Sequence, residues 1–228
     1  MRMPRIATRF PTKAIRKPQR SSPVVAGVVG LLYWPLHSLA YFATDDGRDS
    51  EGVLRPTEWL QKPLEPLLDW SSPDTVYVTY GTLAMIPAVG FLLGLLAVHA
   101  TPPEATTRLE RWGFRIALVG NLVAILGILV EYWLQQVDVG FAISGPGLAI
   151  LLVGSTLFGI GRLRVDAAPR AGAWLLALSI PLLLGCTVLI GHLSTGLIPL
   201  DLAWISLGWW AWSLARGSDS YVVEGTPL

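Results

Sequence analysis

Six apolar runs, each close to the length that crosses a lipid bilayer, constrain this sequence more than any other feature. A hydrocarbon core about 30 Å thick takes about 20 helical residues at roughly 1.5 Å of rise each. Only 14% of the residues are charged, against about 25% in a soluble domain. Strand-like alternation is absent, and a helix satisfies its own backbone hydrogen bonds in lipid. The sequence therefore predicts an all-α integral membrane protein, a six-span transmembrane helical bundle, with spans at residues 23–42, 76–98, 114–134, 139–160, 173–192 and 197–214.

The basic residues predict the orientation of these spans. Of the 17 Lys and Arg, all but Arg48, Arg55 and Lys62 lie on tails and connections that six spans place on one side of the membrane. Those three lie in the loop after the first span, among eight acids. Positive charge stays in the cytoplasm, so both termini are predicted to be cytoplasmic, in the plasma membrane. The chain then divides into a basic tail (1–22), the transmembrane domain (23–214) and a C-terminal tail (215–228).

Two segments in the second half resemble each other at a spacing of 54 residues. Leu148–Arg162 aligns without gaps on Leu202–Arg216: each begins with Leu-Ala, has Gly six residues after that Leu, and ends in Arg. Each also follows a proline, Pro146 or Pro199. The pattern predicts that spans three to four and five to six are duplicated helical hairpins, as in several transporter folds.

The outer loop, residues 43–75, is the only sizeable segment between spans. Its second half mixes Trp and Leu with charges, which predicts a segment lying partly in the membrane interface. Docking of a protein partner on this loop is the alternative. Pro63 and Pro66 predict that the segment is broken into short turns, because proline removes a helical hydrogen bond.

Six side chains near the predicted outer ends of the spans are candidates for handling a proton or a ligand. They are His37, Tyr80, Glu131, Tyr132, His192 and Asp201. One hypothesis gathers them into a polar cup open to the outside; the alternative leaves them as separate interfacial side chains. Glu131 lies about three residues from the end of its span, which predicts the water-exposed end of a helix. Ser144 to Gly147 predicts the turn that begins span four.

No chemical motif in the sequence specifies a cofactor, and none is predicted. His37 and His192 could flank one outer haem, and the candidate side chains include metal-ligand types, but no local spacing motif supports either site. The lone Cys186 excludes an internal disulfide.

The predicted function is that of a non-catalytic membrane protein: an accessory or structural subunit, or a bundle that binds a partner or lipid. A small-solute or proton-coupled carrier using the polar cup is the alternative, although carriers place polar groups near the midplane. The predicted partners are the lipid bilayer, a protein at the outer loop and anionic lipid at the basic tail. No nucleic acid is predicted.

Overall fold

The computed structural model describes residues 18–48, 58–100, 106–165, 169–190 and 192–223. Within these ranges every regular element is helical and none is a strand. Most of the predicted basic tail, part of the outer loop and the end of the C-terminal tail lie outside the described residues. The elements are α1 (Pro18–Ala43), α2 (Asp45–Arg48), α3 (Glu58–Leu68), α4 (Pro73–Leu83), α5 (Met85–His99), α6 (Arg108–Ile128), a π turn (Leu129–Trp133), α7 (Val137–Val165), α8 (Arg170–Ala177), α9 (Ser179–Ile190), a 3₁₀ turn (Leu193–Leu197) and α10 (Ile198–Val223).

Four helical stretches in the described part of the chain are long and apolar enough to cross a membrane. They are Pro23–Ala43, Pro73–His99, Arg108–Trp133 and Val137–Val165. A fifth is added if α8 and α9, which meet at a bend of 70°, form one broken span. The protein is therefore an all-helical, multi-pass membrane protein.

Two of the predicted spans are interrupted rather than straight. Prolines cause both breaks, because a proline ring clashes with the carbonyl four residues earlier. Pro181 lies four residues after Ala177, where α8 ends, and Pro87 lies four residues after Leu83, where α4 ends. The predicted span over residues 173–192 therefore consists of two helices that meet at a bend, and together they pass as one broken span.

Two turns predicted from proline and glycine are instead parts of helices. Ser144 to Gly147 lies inside α7, which begins at Val137. The chain turns between the π turn and α7 at Gln135, whose φ of 56° lies in the left-handed region, so the helix can begin soon after it. The first bond of α7 joins the Gly140 amide to the Gln136 carbonyl, 2.8 Å away. α3 runs through Pro63 and Pro66, and both prolines are exposed, so water can satisfy the carbonyls they leave unpaired. Both predictions of turns are wrong.

α6 and α7 pack along a series of glycines that repeat every seven residues, here called the glycine seam. A seven-residue period keeps one face of a helix directed at its partner. At each position an added Cβ would collide with the opposite helix, so the two backbones approach closely. The seam comprises Gly113, Gly120 and Gly127 of α6 with Gly140, Gly147, Gly154 and Gly161 of α7.

The remaining helices surround α1, which packs against α10, α5 and α4. Small residues permit these contacts too: Gly90 of α5 meets Ala26, and Gly30 of α1 meets Asp201. α8 bridges the two groups by packing against both α7 and α10. The bundle thus has two parts, the α6–α7 pair and the group around α1, with a cavity between them.

A buried ion pair lies at the end of the α6–α7 pair that is predicted to be cytoplasmic. Glu110 Oε1 lies 3.0 Å from Arg162 Nε, and both side chains are almost fully buried. Arg162 also donates a 2.7 Å hydrogen bond to the Val98 carbonyl at the end of α5. The sequence predicted that Arg162 lies in the connection between spans four and five; that is wrong, because α7 continues to Val165, and Gly161 lets Glu110 reach the arginine.

Candidate ligand-binding site

Aromatic and histidine rings gather at the end of the bundle that is predicted to be outer. His37 lies between Tyr33 and Tyr77, with ring centroids 5.4 and 4.8 Å away and interplanar angles of 30° and 27°. Tyr132 places its hydroxyl 3.4 Å from His37 Nε2 and 3.2 Å from the Tyr77 hydroxyl. The Tyr–His cluster comprises Tyr33, His37, Tyr41, Tyr77, Tyr132 and His192.

Helix geometry explains why these rings meet. Tyr33, His37 and Tyr41 recur every four residues, so they lie on one face of α1. On α4, Gly81 lies one turn after Tyr77 and packs directly against the Tyr132 ring, so no larger residue fits there. His37, Tyr132 and His192 were predicted from the sequence, whereas Tyr33 and Tyr77 were not, although the four-residue spacing from His37 points to Tyr33.

The π turn at the end of α6 directs Glu131 and Tyr132 into the protein. In this turn the Leu134 amide bonds to the Leu129 carbonyl, 3.1 Å away, which makes the turn wider than an α-helical one. Both residues are buried, whereas the following Trp133 and Leu134 are exposed. The predicted water-exposed position of Glu131 is therefore wrong.

Glu131 lies beside two hydroxyl groups, those of Ser144 and Tyr132. Its Oε2 accepts a 3.2 Å bond from the Ser144 hydroxyl of α7. Its backbone packs against Gly140, and that close approach holds the carboxylate between the two helices. Only 5% of Glu131 is exposed.

A hydroxyl network attaches His192 to α1. The Ser194 amide donates to His192 Nδ1 at 3.3 Å, and Ser38 Oγ lies 2.9 Å from Ser194 Oγ. Ser38 Oγ is also 3.3 Å from His192 Nδ1. The 3₁₀ turn is thereby fixed against the cluster, so His192 has a defined position although it lies outside a helix.

Two of the six predicted residues lie elsewhere. Tyr80 donates a 2.7 Å hydrogen bond to the Leu67 carbonyl and so ties α4 to α3. Asp201 is fully buried in the first turn of α10, where it packs over Gly30 and beside the Trp34 side chain of α1. The structure brings His37, Glu131, Tyr132 and His192 around one space and places Tyr80 and Asp201 outside its lining.

That space, the bundle cavity, has a volume of about 150 Å³. A cavity of about this size holds a molecule such as benzene. One end is lined by the Tyr–His cluster with Glu131 and Ser144, and the rest is mainly aliphatic and aromatic. The apolar lining includes Ala84, Ala88, Phe91, Ala124, Ile128, Leu148, Leu151, Leu193 and Leu197.

Several polar atoms of the lining residues have no hydrogen-bond partner. Within the described part of the chain they are Tyr33 Oη, His37 Nδ1 and Asn121 Oδ1. Unpaired buried polar groups are costly, so a ligand that pairs with them gains binding energy. Among the described residues no group of three His, Cys, Asp or Glu side chains is placed to hold a metal ion. The cavity therefore offers hydrogen bonds, aromatic rings and one carboxylate.

Comparison with protein-family models, with curated proteins and with solved structures finds no match to this chain. Its own geometry is what bears on its function. The most specific part of that geometry is the bundle cavity, because polar side chains line one end of it and apolar side chains line the rest.

Proposed function

We propose that this protein is a non-catalytic, six-span protein of the plasma membrane that binds a small amphipathic molecule in the bundle cavity. The observation that supports this proposal is the division of the cavity into a polar end and an apolar wall. Such a lining is typical of small-molecule sites, where a few placed polar groups fix the orientation of an otherwise apolar ligand.

The proposed topology counts α1, α4–α5, α6, α7, α8–α9 and α10 as the six spans, with both termini in the cytoplasm. The distribution of Lys and Arg supports this orientation. The proposal includes duplicated helical hairpins, and the support for them is the 54-residue sequence repeat alone. The packing of the two pairs differs, because α7 lies mainly along α6 whereas α10 lies mainly along α1.

The proposed partners involve both membrane surfaces. α3 and the rest of residues 43–75 would lie at the outer interface, since Leu67 and Trp70 are exposed and apolar. A protein bound there would make the chain an accessory subunit, and a stoichiometric protein after purification in mild detergent tests this role. Residues 1–22 would attract anionic lipid through their basic side chains.

Filling the cavity should abolish ligand binding without disturbing the fold. Gly145 lines the cavity, and an added Cβ there meets no atom within 4 Å. We expect wild-type protein from mild detergent to carry a bound small molecule in native mass spectra, and Gly145→Trp to lose it. The large indole would occupy the space that the ligand needs.

Gly185→Trp is the matched control for this experiment. Gly185 is also a helical glycine with open space around its Cβ, but it is exposed on α9 and does not line the cavity. It should retain the bound molecule. If both variants retain it, or if wild type carries none and binds no added probe, the cavity is not a ligand site.

A carrier is the second candidate, and the broken span favours it. Carriers bind solutes beside discontinuous helices and ionisable groups, and here α8 and α9 meet at 70° while the Asp201 carboxyl group is fully buried in the first turn of α10. The assay measures thiol labelling of the Gly145→Cys variant, in a Cys186→Ala background, in sealed vesicles treated with an impermeant thiol reagent. Labelling from both faces indicates a carrier with alternating access; labelling from one face supports a binding protein.

A further inference from the structure

We propose that the bundle cavity selects an organic cation with a small apolar body. This inference rests on the proposed function, since it names the class of molecule that the same cavity takes. Three properties of the cavity lead to it: its charge, its aromatic rings and its size.

The charge of the cavity comes from one carboxylate. Among the described residues, Glu131 is the only Asp, Glu, Lys or Arg in the lining, and it is nearly fully buried. Its protein partners are the neutral hydroxyls of Ser144 and Tyr132. A buried carboxylate is costly without a nearby positive charge. A ligand cation would supply that charge, whereas an anionic headgroup would meet the Glu131 carboxylate with no Lys or Arg among the described lining residues to offset the repulsion.

The aromatic lining is suited to the same cation. Tyr33, Tyr77 and Tyr132 surround the polar end, and Phe141 lines the cavity while remaining largely exposed. The face of an aromatic ring attracts a cation within about 6 Å of its centroid, most strongly when water is excluded. Rings around one carboxylate form a recurrent arrangement for recognising quaternary ammonium groups.

The size and the remaining lining limit the apolar body of the ligand. About 150 Å³ accommodates a single ring. Ala84, Ala88 and Leu148 provide an aliphatic wall beyond the polar end. A phospholipid headgroup with its two chains would exceed this volume, so the expected ligand is a compact cation.

The test uses two probes of equal shape and different charge. Phenyltrimethylammonium carries the positive charge, and tert-butylbenzene replaces its nitrogen by carbon. Binding to the full purified chain is measured by titration calorimetry, with protein-free micelles subtracted for both. We expect Glu131→Gln to weaken binding of the cation by about tenfold or more, with little change for the hydrocarbon.

Asp138→Asn is the matched control, because it removes an exposed carboxylate seven residues away in the sequence that does not line the cavity. It should leave both affinities unchanged. If the hydrocarbon binds wild type as tightly as the cation, or Glu131→Gln changes neither, the selection for cations is wrong while the cavity remains a binding site. If neither probe binds wild type and Gly145→Trp loses no copurifying molecule, the proposed function itself fails.

A second measurement leaves Glu131 intact, in case its replacement prevents folding. Gly145→Cys in the Cys186→Ala background is treated with cationic trimethylammonioethyl or anionic sulfonatoethyl methanethiosulfonate. Each rate is divided by the rate for 2-mercaptoethanol in solution. We expect the cationic reagent to react about tenfold faster on this scale. Equal normalised rates would overturn the proposal.

Discussion

Gly154→Val is expected to lower the free energy of unfolding by about 3 kcal/mol, at the upper end of the range for overpacked cores. Gly154 lies at the centre of the glycine seam, where an added Cβ would collide with the backbone nitrogen of Ala117. Backbone atoms cannot turn aside as a side chain can. The two helices must therefore separate, and the contacts along α6 and α7 weaken with them. Unfolding in mixed micelles by titration with a denaturing detergent measures the change.

Gly145→Val provides the control on the same helix. An added Cβ at Gly145 meets no atom within 4 Å, so the substitution should change stability by less than about 0.5 kcal/mol. Ala117→Gly should fail to rescue Gly154→Val, because it leaves the obstructing nitrogen in place. Equal effects at the two glycines, or a full rescue, would contradict the close approach of the helices.

The glycine seam also shows what the sequence could have predicted. Its seven-residue spacing is visible in the printed chain and predicts two helices packed in register, although the helical bundle was predicted from the length of the apolar runs. The all-helical membrane class followed from that length and is confirmed. The breaks after Leu83 and Ala177 could also have been predicted, because Pro87 and Pro181 each lie four residues beyond them.

The candidate site was harder to predict from the sequence. The position of Glu131 depends on one π turn, and the extra residue in such a turn rotates the following side chains away from their α-helical direction. Asp201 resembled Glu131 in predicted depth, yet it packs over Gly30 of α1 and does not line the cavity. Depth along a span can be read from the chain, but the direction of a side chain around the helix depends on its neighbours.

Arg162→Ala is expected to lower the free energy of unfolding by about 3–5 kcal/mol, because removing one member of a buried ion pair leaves the other charge uncompensated. The loss strands the Glu110 carboxylate and removes the hydrogen bond to the Val98 carbonyl. That carbonyl lies in the last turn of α5, where the carbonyl groups have no amide four residues later in the same helix to pair with. Arg164→Ala is the control: Arg164 is exposed on the same helix, and its loss should change stability by less than about 0.5 kcal/mol.

Replacing both charges separates the worth of the pair from the cost of breaking it. Glu110→Leu combined with Arg162→Met keeps similar volume and leaves no buried charge, so its stability should lie within about 2 kcal/mol of wild type. The single Glu110→Leu substitution should be much less stable than this double variant, because it buries an unpaired guanidinium. Unfolding of wild type, Glu110→Leu, Arg162→Met and the double variant under one set of micelle conditions gives the coupling energy. If the double variant is as unstable as the sum of the singles, Glu110 and Arg162 act independently and the ion pair does not join α6 to α7.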